Sequence, residues 1–361
     1  MADVGETTRD PSSVAATTGA GAGEWNAVRF DPAAGKDHVE SYFLKANDPS
    51  GDRALWLRAT IFATAREPDR PLAEGWAIAF DRRGGPARHV AVKHVLPFAR
   101  ASFDPSTLGV RWAREQSGGE PPEHVELQPG RARGAIRTRE HSIEWDLRFA
   151  GENRAIVPFF DRRMYTGPFP KSKLVTPVPD ARFEGALTVD GERWAIEGWR
   201  GMQGHNWGRG HADLYAWCHT NVWEGEDELV LEGLSGRVRV GPVLTPLTTV
   251  VCVRYRGVSY DFTRPMVIWR AHGDVTTRRW SFSAEAPHSR IEGMVEARAE
   301  DMVGLYYANP DGAMTYCLNS KVASARVRFE PKGRAPLTLT SRAAALEVGT
   351  RDADHGVRMH V

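Results

Sequence analysis

Hydrophobic and polar residues alternate with a period of two along most of the chain from Trp25 onward. The alternation is clearest at residues 141–149, where large apolar residues occupy every second position: Ile143, Trp145, Leu147 and Phe149. The same pattern recurs at residues 181–189 and 326–330. A period of two predicts β-strands with one buried face and one face in water.

Turn-forming residues separate these runs, as expected where antiparallel strands are joined by short hairpins. They are Pro129-Gly130, Asp190-Gly191, Arg256-Gly257, His272-Gly273-Asp274 and Pro331-Lys332-Gly333. Strands that recur at roughly 8 to 12 residues are typical of barrels and sandwiches. The pattern predicts an all-β protein of antiparallel barrels or sandwiches, and residues 101–116 are the one segment that allows a short helix.

The length of the chain favours two domains, because 361 residues exceed the ~100 to 200 that one domain usually contains. Five prolines within residues 158–179 interrupt the strand pattern, and prolines at this density are not expected inside a sheet. We therefore place the boundary within residues 158–182. The sequence predicts a disordered tail at 1–23, rich in small residues, a first β domain at 24–175 and a second at 176–361.

Charge and composition argue against several classes of partner. The chain has 47 Lys and Arg against 46 Asp and Glu, and the basic residues are scattered, so neither nucleic acid nor anionic lipid is expected as a partner. No run approaches the ~18 apolar residues of a membrane-spanning helix. The start of the chain lacks a secretory pattern. Nothing indicates a protein partner.

The three cysteines lie far apart and form no C-x-x-C pair: they are Cys218, Cys252 and Cys317. An odd number at such spacings indicates neither a disulfide framework nor a zinc cluster. Buried free thiols in a cytoplasmic protein are the interpretation that fits best.

The densest candidate for a functional site is residues 201–223, GMQGHNWGRGHADLYAWCHTNVW. If residues 212–223 form a strand, its odd positions form one aromatic and hydrogen-bonding face: Asp213, Tyr215, Trp217, His219, Asn221 and Trp223. Such a mixture suits neither an exposed face nor a dry core. We expect it to line a cavity; the alternative is a hydrogen-bonded network buried inside a sheet.

The histidines of this segment are not expected to share a metal ion. Along one strand, at ~3.3 Å per residue, His211 and His219 would lie roughly 26 Å apart, too far for ligands of one ion. The glycines around His205 predict a tight turn or a strand start. His205 then either exchanges protons near neutral pH or fixes the corner by hydrogen bonds. Motifs for phosphate, dinucleotide or zinc are missing from the sequence, and no cofactor is expected.

Two further groups of polar residues are candidates for the same site. Residues 316–321 either face the cavity or form a sheet edge with Lys321 in water. Paired strands predicted at residues 39–48 and 54–62 carry Glu40, Tyr42 and Arg58. For the two charged residues of that group, a solvated or cross-strand role is favoured over a role in a shared cleft.

The string GMQGHNWG, followed by YAW and NVW, resembles a motif in the superfamily of carotenoid 1,2-hydratases, tocopherol cyclases and two-domain lipocalin-like cyclases. In that superfamily the motif opens the second domain. The matching residues are His205, Asn206, Trp207, Gly208, Tyr215 and Trp217, with Asn221 and Trp223 similar to the cyclase branch. The resemblance implies two lipocalin-like domains side by side, an apolar ligand in a barrel or at their interface, and chemistry without a cofactor.

The chain departs from the hydratase branch at two positions. That branch places an acid directly before the motif histidine and another between two aromatic residues, where this chain has Gly204 and Ala216. Asp213 is therefore the first acid expected to act here, and Glu197 or Glu224 the next.

Together these features predict a protein that binds an apolar isoprenoid, polyene or lipid-like molecule and hydrates, cyclises or isomerises it. Such chemistry needs a proton source, and aromatic faces stabilise a carbocation by ~0.5 to 2 kcal/mol. His205 and Asp213 are expected to move protons. The substrate is expected to contact Trp207, Tyr215, Trp217, His219, Asn221 and Trp223. The alternatives are a carrier or sensor without turnover, and a protein scaffold without a deep apolar pocket.

Overall fold

The computed structural model describes residues 22–83, 87–114, 122–152, 154–240 and 242–361. The predicted tail, apart from its last two residues, lies outside the described residues.

Eleven antiparallel strands form the first sheet, in the order β4-β3-β2-β1-β11-β10-β9-β8-β7-β6-β5. They are β1 (His38–Asn47), β2 (Arg53–Ala63), β3 (Leu72–Asp81), β4 (Val90–Pro97), β5 (Ser102–Phe103), β6 (Val110–Arg114), β7 (Glu123–Gln128), β8 (Arg131–Arg137), β9 (Ser142–Glu152), β10 (Ser172–Val189) and β11 (Glu192–Gly208).

The second sheet has the order β17-β16-β13-β12-β23-β22-β20-β19-β18, with β21 paired to β22, while β14 and β15 form a separate pair. These strands are β12 (Leu214–Thr220), β13 (Leu229–Arg237), β14 (Arg239–Val240), β15 (Val243–Leu244), β16 (Thr248–Tyr255), β17 (Val258–Phe262), β18 (His272–Val275), β19 (Arg279–Ala286), β20 (Ser289–Glu296), β21 (Val303–Ala308), β22 (Met314–Glu330) and β23 (Leu337–Thr350).

The helices of the described residues are short. They are α1 (Ala22–Asn26), α2 (Arg163–Thr166) and α3 (Pro265–Arg270), and three 3₁₀ turns lie at Pro32–Ala34, Phe98–Arg100 and Ala299–Asp301. None of the helices in the described part of the chain has the length and apolar character needed to cross a bilayer.

The predicted all-β class is confirmed, and four of the five predicted hairpins are present. Asp190 and Gly191 join β10 to β11 with φ values of 48° and 85°, as a two-residue turn with both residues left-handed requires. The turn predicted at 272–274 is wrong, because these residues belong to β18. Gly273 is needed there because a Cβ would overlap the Ser235 and Thr249 hydroxyl groups.

The helix allowed at residues 101–116 is also wrong for the residues that the structure describes. This segment contains β5 and β6, and β6 pairs with β7. Val110 and Trp112 are buried while Arg111 between them is exposed. The alternation of buried and exposed residues in this segment therefore indicates a strand and not a helix.

The proline-rich segment lies partly inside a sheet, contrary to the prediction. Pro177 and Pro179 belong to β10, whose pairing with β11 shifts register between Val175 and Val178 and again before Ala181. Irregularities of this kind accommodate a residue that has no N–H to donate.

The motif segment belongs to the first sheet. Residues 201–208 of β11 pair with residues 39–46 of β1, and β10 pairs with the other side of β11. The change from one sheet to the other therefore lies at residues 209–213. The division of the chain into domains at residue 175 stays a prediction.

Three apolar clusters explain how the sheets are arranged. One lies within the curved first sheet and one within the second. The third includes residues of both sheets, among them Phe43, Trp76 and Met202 from the first and Trp217 and Leu305 from the second. Side chains alternate along a strand, so β1 and β12 each present one face to their own core and the other to the opposite sheet.

Candidate functional site

The odd face of β12 packs against the first sheet. Ala216 and Cys218, on the other face, belong to the core of the second sheet, whereas Trp217 joins the cluster shared by both sheets. We use the name inter-sheet layer for the buried polar and aromatic side chains between the sheets: Lys45, Trp56, Arg58, Thr176, Tyr215, Trp217, His219, Asn221, Glu232, Tyr307, Lys321 and Glu347.

Glu232 on β13 provides a carboxyl group inside this layer. Its Oε1 accepts hydrogen bonds from Trp217 Nε1 and Thr176 Oγ1, each at 2.9 Å. Its Oε2 has no hydrogen-bond partner among the described residues. Burial raises the pKa of Glu232 to about 7 although these two hydrogen bonds act to lower it. A carboxyl group with such a pKa can give or take a proton near neutral pH.

Lys45 on β1 lies opposite His219 on β12. The Nε2–H of His219 donates to the backbone oxygen of Pro179 at 2.9 Å, so its Nδ1 accepts from Lys45 Nζ at 3.4 Å. Burial and the charges of Lys321 and Arg200 lower the pKa of Lys45 to about 7. Burial and the charge of Lys45 hold the pKa of His219 well below its usual value, so the imidazole is neutral.

Lys321 is fully buried, which excludes the alternative of a sheet edge with this lysine in water. Its Nζ lies 5.1 Å from the ring centre of Trp56 and 5.3 Å from that of Trp217. It also donates a hydrogen bond to Asn319 Oδ1. Two aromatic faces and an amide oxygen replace the water that the ammonium group loses on burial.

Arg58 on β2 is likewise buried rather than solvated. Its guanidinium carbon lies 4.2 Å from the ring centre of Tyr307 on β21, and two of its nitrogens donate to Ser41 Oγ at 2.8 and 2.9 Å. Arg58 and Lys321 are therefore two cations of the inter-sheet layer that lie beside aromatic rings.

His205 points away from this layer, into the core of the first sheet. Its Nε2 lies 2.9 Å from Glu40 Oε1, and its Nδ1 lies 2.6 Å from the backbone oxygen of Trp25. The ring stacks on Tyr42 with 4.2 Å between ring centres, and Trp207 lies 4.8 Å away. A carbonyl oxygen and an ionised carboxylate are both hydrogen-bond acceptors, so each ring nitrogen of His205 faces an acceptor.

Glu40 is completely buried, so its role is cross-strand and not solvated. Besides His205, it accepts from His38 Nε2 at 2.8 Å, Tyr42 Oη at 3.1 Å and the backbone N–H of Arg29. Burial alone would raise the pKa of Glu40. The hydrogen bonds and positive charges of His205 and His38 outweigh burial and lower it to about 2. Glu40 is therefore ionised and holds two imidazoles in place.

The structure divides the predicted site residues among several places. His205 and Trp207 lie in the first sheet, while the odd face of β12 supplies Tyr215, Trp217, His219 and Asn221 to the inter-sheet layer. Trp223 lies in the core of the second sheet and donates to the backbone oxygen of Leu229 at 3.0 Å.

Asp213 lies just before β12, where it accepts from the backbone N–H of Arg239 at 2.7 Å. The next predicted acids, Glu197 and Glu224, are exposed. Gly204 faces Phe43, and a Cβ at this position would overlap the Phe43 ring. An acid directly before the motif histidine is therefore sterically excluded here.

Glu232 and Lys45 were not singled out from the sequence, although a signal was present. Glu232 is the one charged residue within the apolar run 229–234, and Lys45 interrupts the apolar run 42–46. Burial of a charged group inside such a run costs free energy unless the group is paired or neutral. A charged residue in an apolar run is therefore a candidate for a functional site.

Cavities near these groups are small or polar. One of about 20 Å³ lies in the first core beside Leu44, Leu57 and Trp145, with room for about one water. A groove of about 810 Å³ lies between the end of β3 and the loops 276–279 and 296–301 of the second sheet, and it is lined by charged residues.

Among the described residues, no group of three or more His, Cys, Asp or Glu is placed to hold a metal. The three cysteines are buried and unpaired.

Comparison with known proteins supports the resemblance seen in the sequence. Residues 175–350 match the family model described as tocopherol cyclase-like, so the predicted resemblance is confirmed for this part of the chain. Two uncharacterized proteins from strains of Mycobacterium tuberculosis are 26% identical over 333 residues, covering 90% of this chain and 91% of theirs.

Solved structures show the same fold at low sequence identity. Kievitone hydratase from Nectria haematococca has a TM-score of 0.53 at 9% identity, covering 95% of both chains. CghA, solved with Sch210972, has a TM-score of 0.56 at 10% identity, covering 87% of this chain and 88% of that one. The predicted pair of lipocalin-like antiparallel sheets is confirmed.

Proposed function

We propose that this protein binds an apolar isoprenoid, polyene or lipid-like molecule and hydrates, cyclises or isomerises it without a cofactor. The observation that carries the proposal is the carboxyl group of Glu232, buried beside Trp217, with one oxygen that accepts no hydrogen bond from the described residues. A proton donor and an aromatic wall are the two parts that alkene chemistry requires.

Proton transfer from Glu232 is supported by its surroundings. Its pKa of about 7 leaves a large part of the carboxyl groups protonated at neutral pH. When the proton leaves, the N–H of Trp217 and the hydroxyl of Thr176 already point at Oε1 and stabilise the carboxylate. The rings of Trp56 and Trp217 stabilise the ammonium of Lys321, and a carbocation in the layer would be stabilised in the same way.

The proposal also includes the site residues that were predicted from the sequence. His205 is proposed as a second group that moves protons, with its ring nitrogens placed on Glu40 and on the backbone oxygen of Trp25. Asp213 is the weaker candidate, since its described contact is with a backbone N–H outside the layer. Trp207, Tyr215, Trp217, His219 and Asn221 are proposed to position the substrate, with Trp223 supporting β12 from the second core.

The comparisons favour the same class of reaction. The family model that matches residues 175–350 is described as cyclase-like, and one protein of the same fold is named a hydratase. Hydration adds the elements of water to a carbon–carbon double bond, and a cyclisation can start with protonation of a double bond; both are compatible with the groups present here.

Turnover of a panel of polyenes and isoprenoids, followed by chromatography and mass spectrometry, tests the proposal. We expect Glu232→Gln to lower the turnover of a converted compound by about 100-fold or more, the contribution of a general acid. His205→Gln should lower it as well. Glu285→Gln, which changes an exposed carboxyl group on β19, is the control and should leave turnover unchanged.

Two outcomes would contradict the proposal. Unchanged turnover in the variants of Glu232, His205 and Asp213 would remove the assigned roles. Stoichiometric binding of a compound that is recovered intact after long incubation would instead indicate a carrier or sensor.

A further inference from the structure

The short helix α3 presents an unusually exposed tryptophan. Val267 anchors the helix in the core of the second sheet, whereas 79% of the Trp269 surface and 59% of the Met266 surface are exposed. Trp269 and Met266 are three residues apart and lie on the same side of the helix. Tryptophan is highly buried on average, so this exposure needs an explanation.

Positive charge flanks the apolar tip. Arg264 and Arg270 are exposed, and neither has an ion-pair partner among the described residues. The segment between Asp261 and Asp274 contains no acidic residue. Asp261 pairs with Arg254, and Asp274 pairs with Arg279, so neither neutralises the arginines of α3.

We propose that α3 is a docking surface for a membrane that contains anionic lipids. Trp269 and Met266 would enter the boundary between headgroups and acyl chains, a position that amphipathic indole rings favour. Arg264 and Arg270 would contact lipid phosphates, which they recognise by charge and by paired hydrogen bonds. This binding is peripheral and reversible, because one aromatic tip and two cations do not anchor a protein permanently.

The proposal departs from the expectation that anionic lipid is not a partner. That expectation rested on the even balance of charge over the whole chain, 47 basic against 46 acidic residues. A membrane contacts only a local surface, and within α3 and its flanks the balance is entirely positive. The inference rests on α3 alone and does not depend on the proposed reaction.

Co-sedimentation of the full chain with vesicles tests the docking surface. Vesicles of phosphatidylcholine alone are compared with vesicles of equal parts phosphatidylcholine and phosphatidylglycerol. We expect binding to the anionic vesicles that weakens as salt is added. Trp269→Ala should weaken it by about tenfold or more, from the loss of a buried aromatic side chain. Arg264→Gln with Arg270→Gln should weaken it by about 25-fold, or about fivefold per arginine.

Matched controls test whether binding depends on α3 or on any exposed aromatic or cationic side chain. Phe160→Ala removes another exposed aromatic side chain, 52% exposed, and should leave binding unchanged. Arg139→Gln with Arg193→Gln changes the net charge equally at exposed sites elsewhere and should have less effect than the α3 pair. The proposal is overturned if the wild type does not bind anionic vesicles or if the control variants weaken binding as much. Self-association of the wild type that Trp269→Ala abolishes would also overturn it, since α3 would then bind a second copy.

Discussion

At the scale of single residues, the most informative group is the carboxyl of Glu232. Desolvation disfavours its charged form, and two hydrogen bonds from Trp217 and Thr176 recover only part of that cost. The result is a pKa raised from 4.5 to about 7. A buried carboxyl that stays protonated in the native state has a measurable effect on stability.

Replacement of Glu232 by Gln should change how stability depends on pH. Because the native pKa is raised, the native state binds the extra proton between about pH 4.5 and 7, and the group destabilises the fold as pH rises through that range. We expect the free energy of unfolding of the wild type, relative to Glu232→Gln, to fall by about 3 kcal/mol over this range. Urea unfolding at a series of pH values measures it. Glu197→Gln is the control, and a difference that stays constant with pH would contradict the assignment.

Glu40 represents the opposite case, a carboxylate kept ionised by its partners. Glu40→Gln would remove the buried negative charge that accepts hydrogen bonds from His205 and His38, and we expect a loss of about 3 kcal/mol in unfolding free energy at neutral pH. Tyr42→Phe removes only one hydrogen bond to the same carboxylate and should cost about 1 kcal/mol. Thermal and urea unfolding of both variants measure the losses. Equal losses would mean that the charge of Glu40 contributes little.

At the scale of strands, sequence patterns succeeded where one face of a strand meets water. The alternation in β9 predicted its buried residues correctly because Glu144, Asp146 and Arg148 are exposed between them. The pattern gave no signal at residues 173–181 of β10 and 199–208 of β11, which are buried along most of their length. The strand β1, which pairs with β11, lies more than a hundred residues away, and no local signal specifies that pairing.

Two glycines that flank Tyr215 test the packing of β12. Gly349 and Gly236 pair with Tyr215 from β23 and β13. A Cβ at Gly349 would overlap the Tyr215 ring, whereas one at Gly236 would have its nearest neighbours at 3.8 and 3.9 Å. We expect Gly349→Ala to cost about 2 kcal/mol or more and Gly236→Ala to be nearly neutral.

The combination of Gly349→Ala with Tyr215→Ala provides a further check. The cost of Gly349→Ala should largely disappear in the Tyr215→Ala background, because the overlapping ring is gone. Urea unfolding of the four proteins measures the coupling. Additive costs would show that the ring does not rest on this glycine.

At the scale of the whole molecule, the two sheets create a layer that neither forms alone. The sequence identified one wall, the odd face of β12, from the mixture of Trp217, His219 and Asn221. It did not predict that Lys45 and Arg58 form the facing wall, because that depends on how two sheets pack and not on any spacing in the chain. It also grouped His205 with β12, whereas β11 turns this histidine into the first core.

The central claim is that the protein binds an apolar small molecule. It is tested most directly by identifying the compound that copurifies with the protein. The protein is purified from its own host and extracted with organic solvent, and the extract is examined by mass spectrometry and absorption spectroscopy. The account predicts an isoprenoid, polyene or lipid-like compound at a stoichiometric amount. An empty extract, together with tryptophan fluorescence that added polyenes and lipids leave unchanged, would contradict it and favour a protein scaffold.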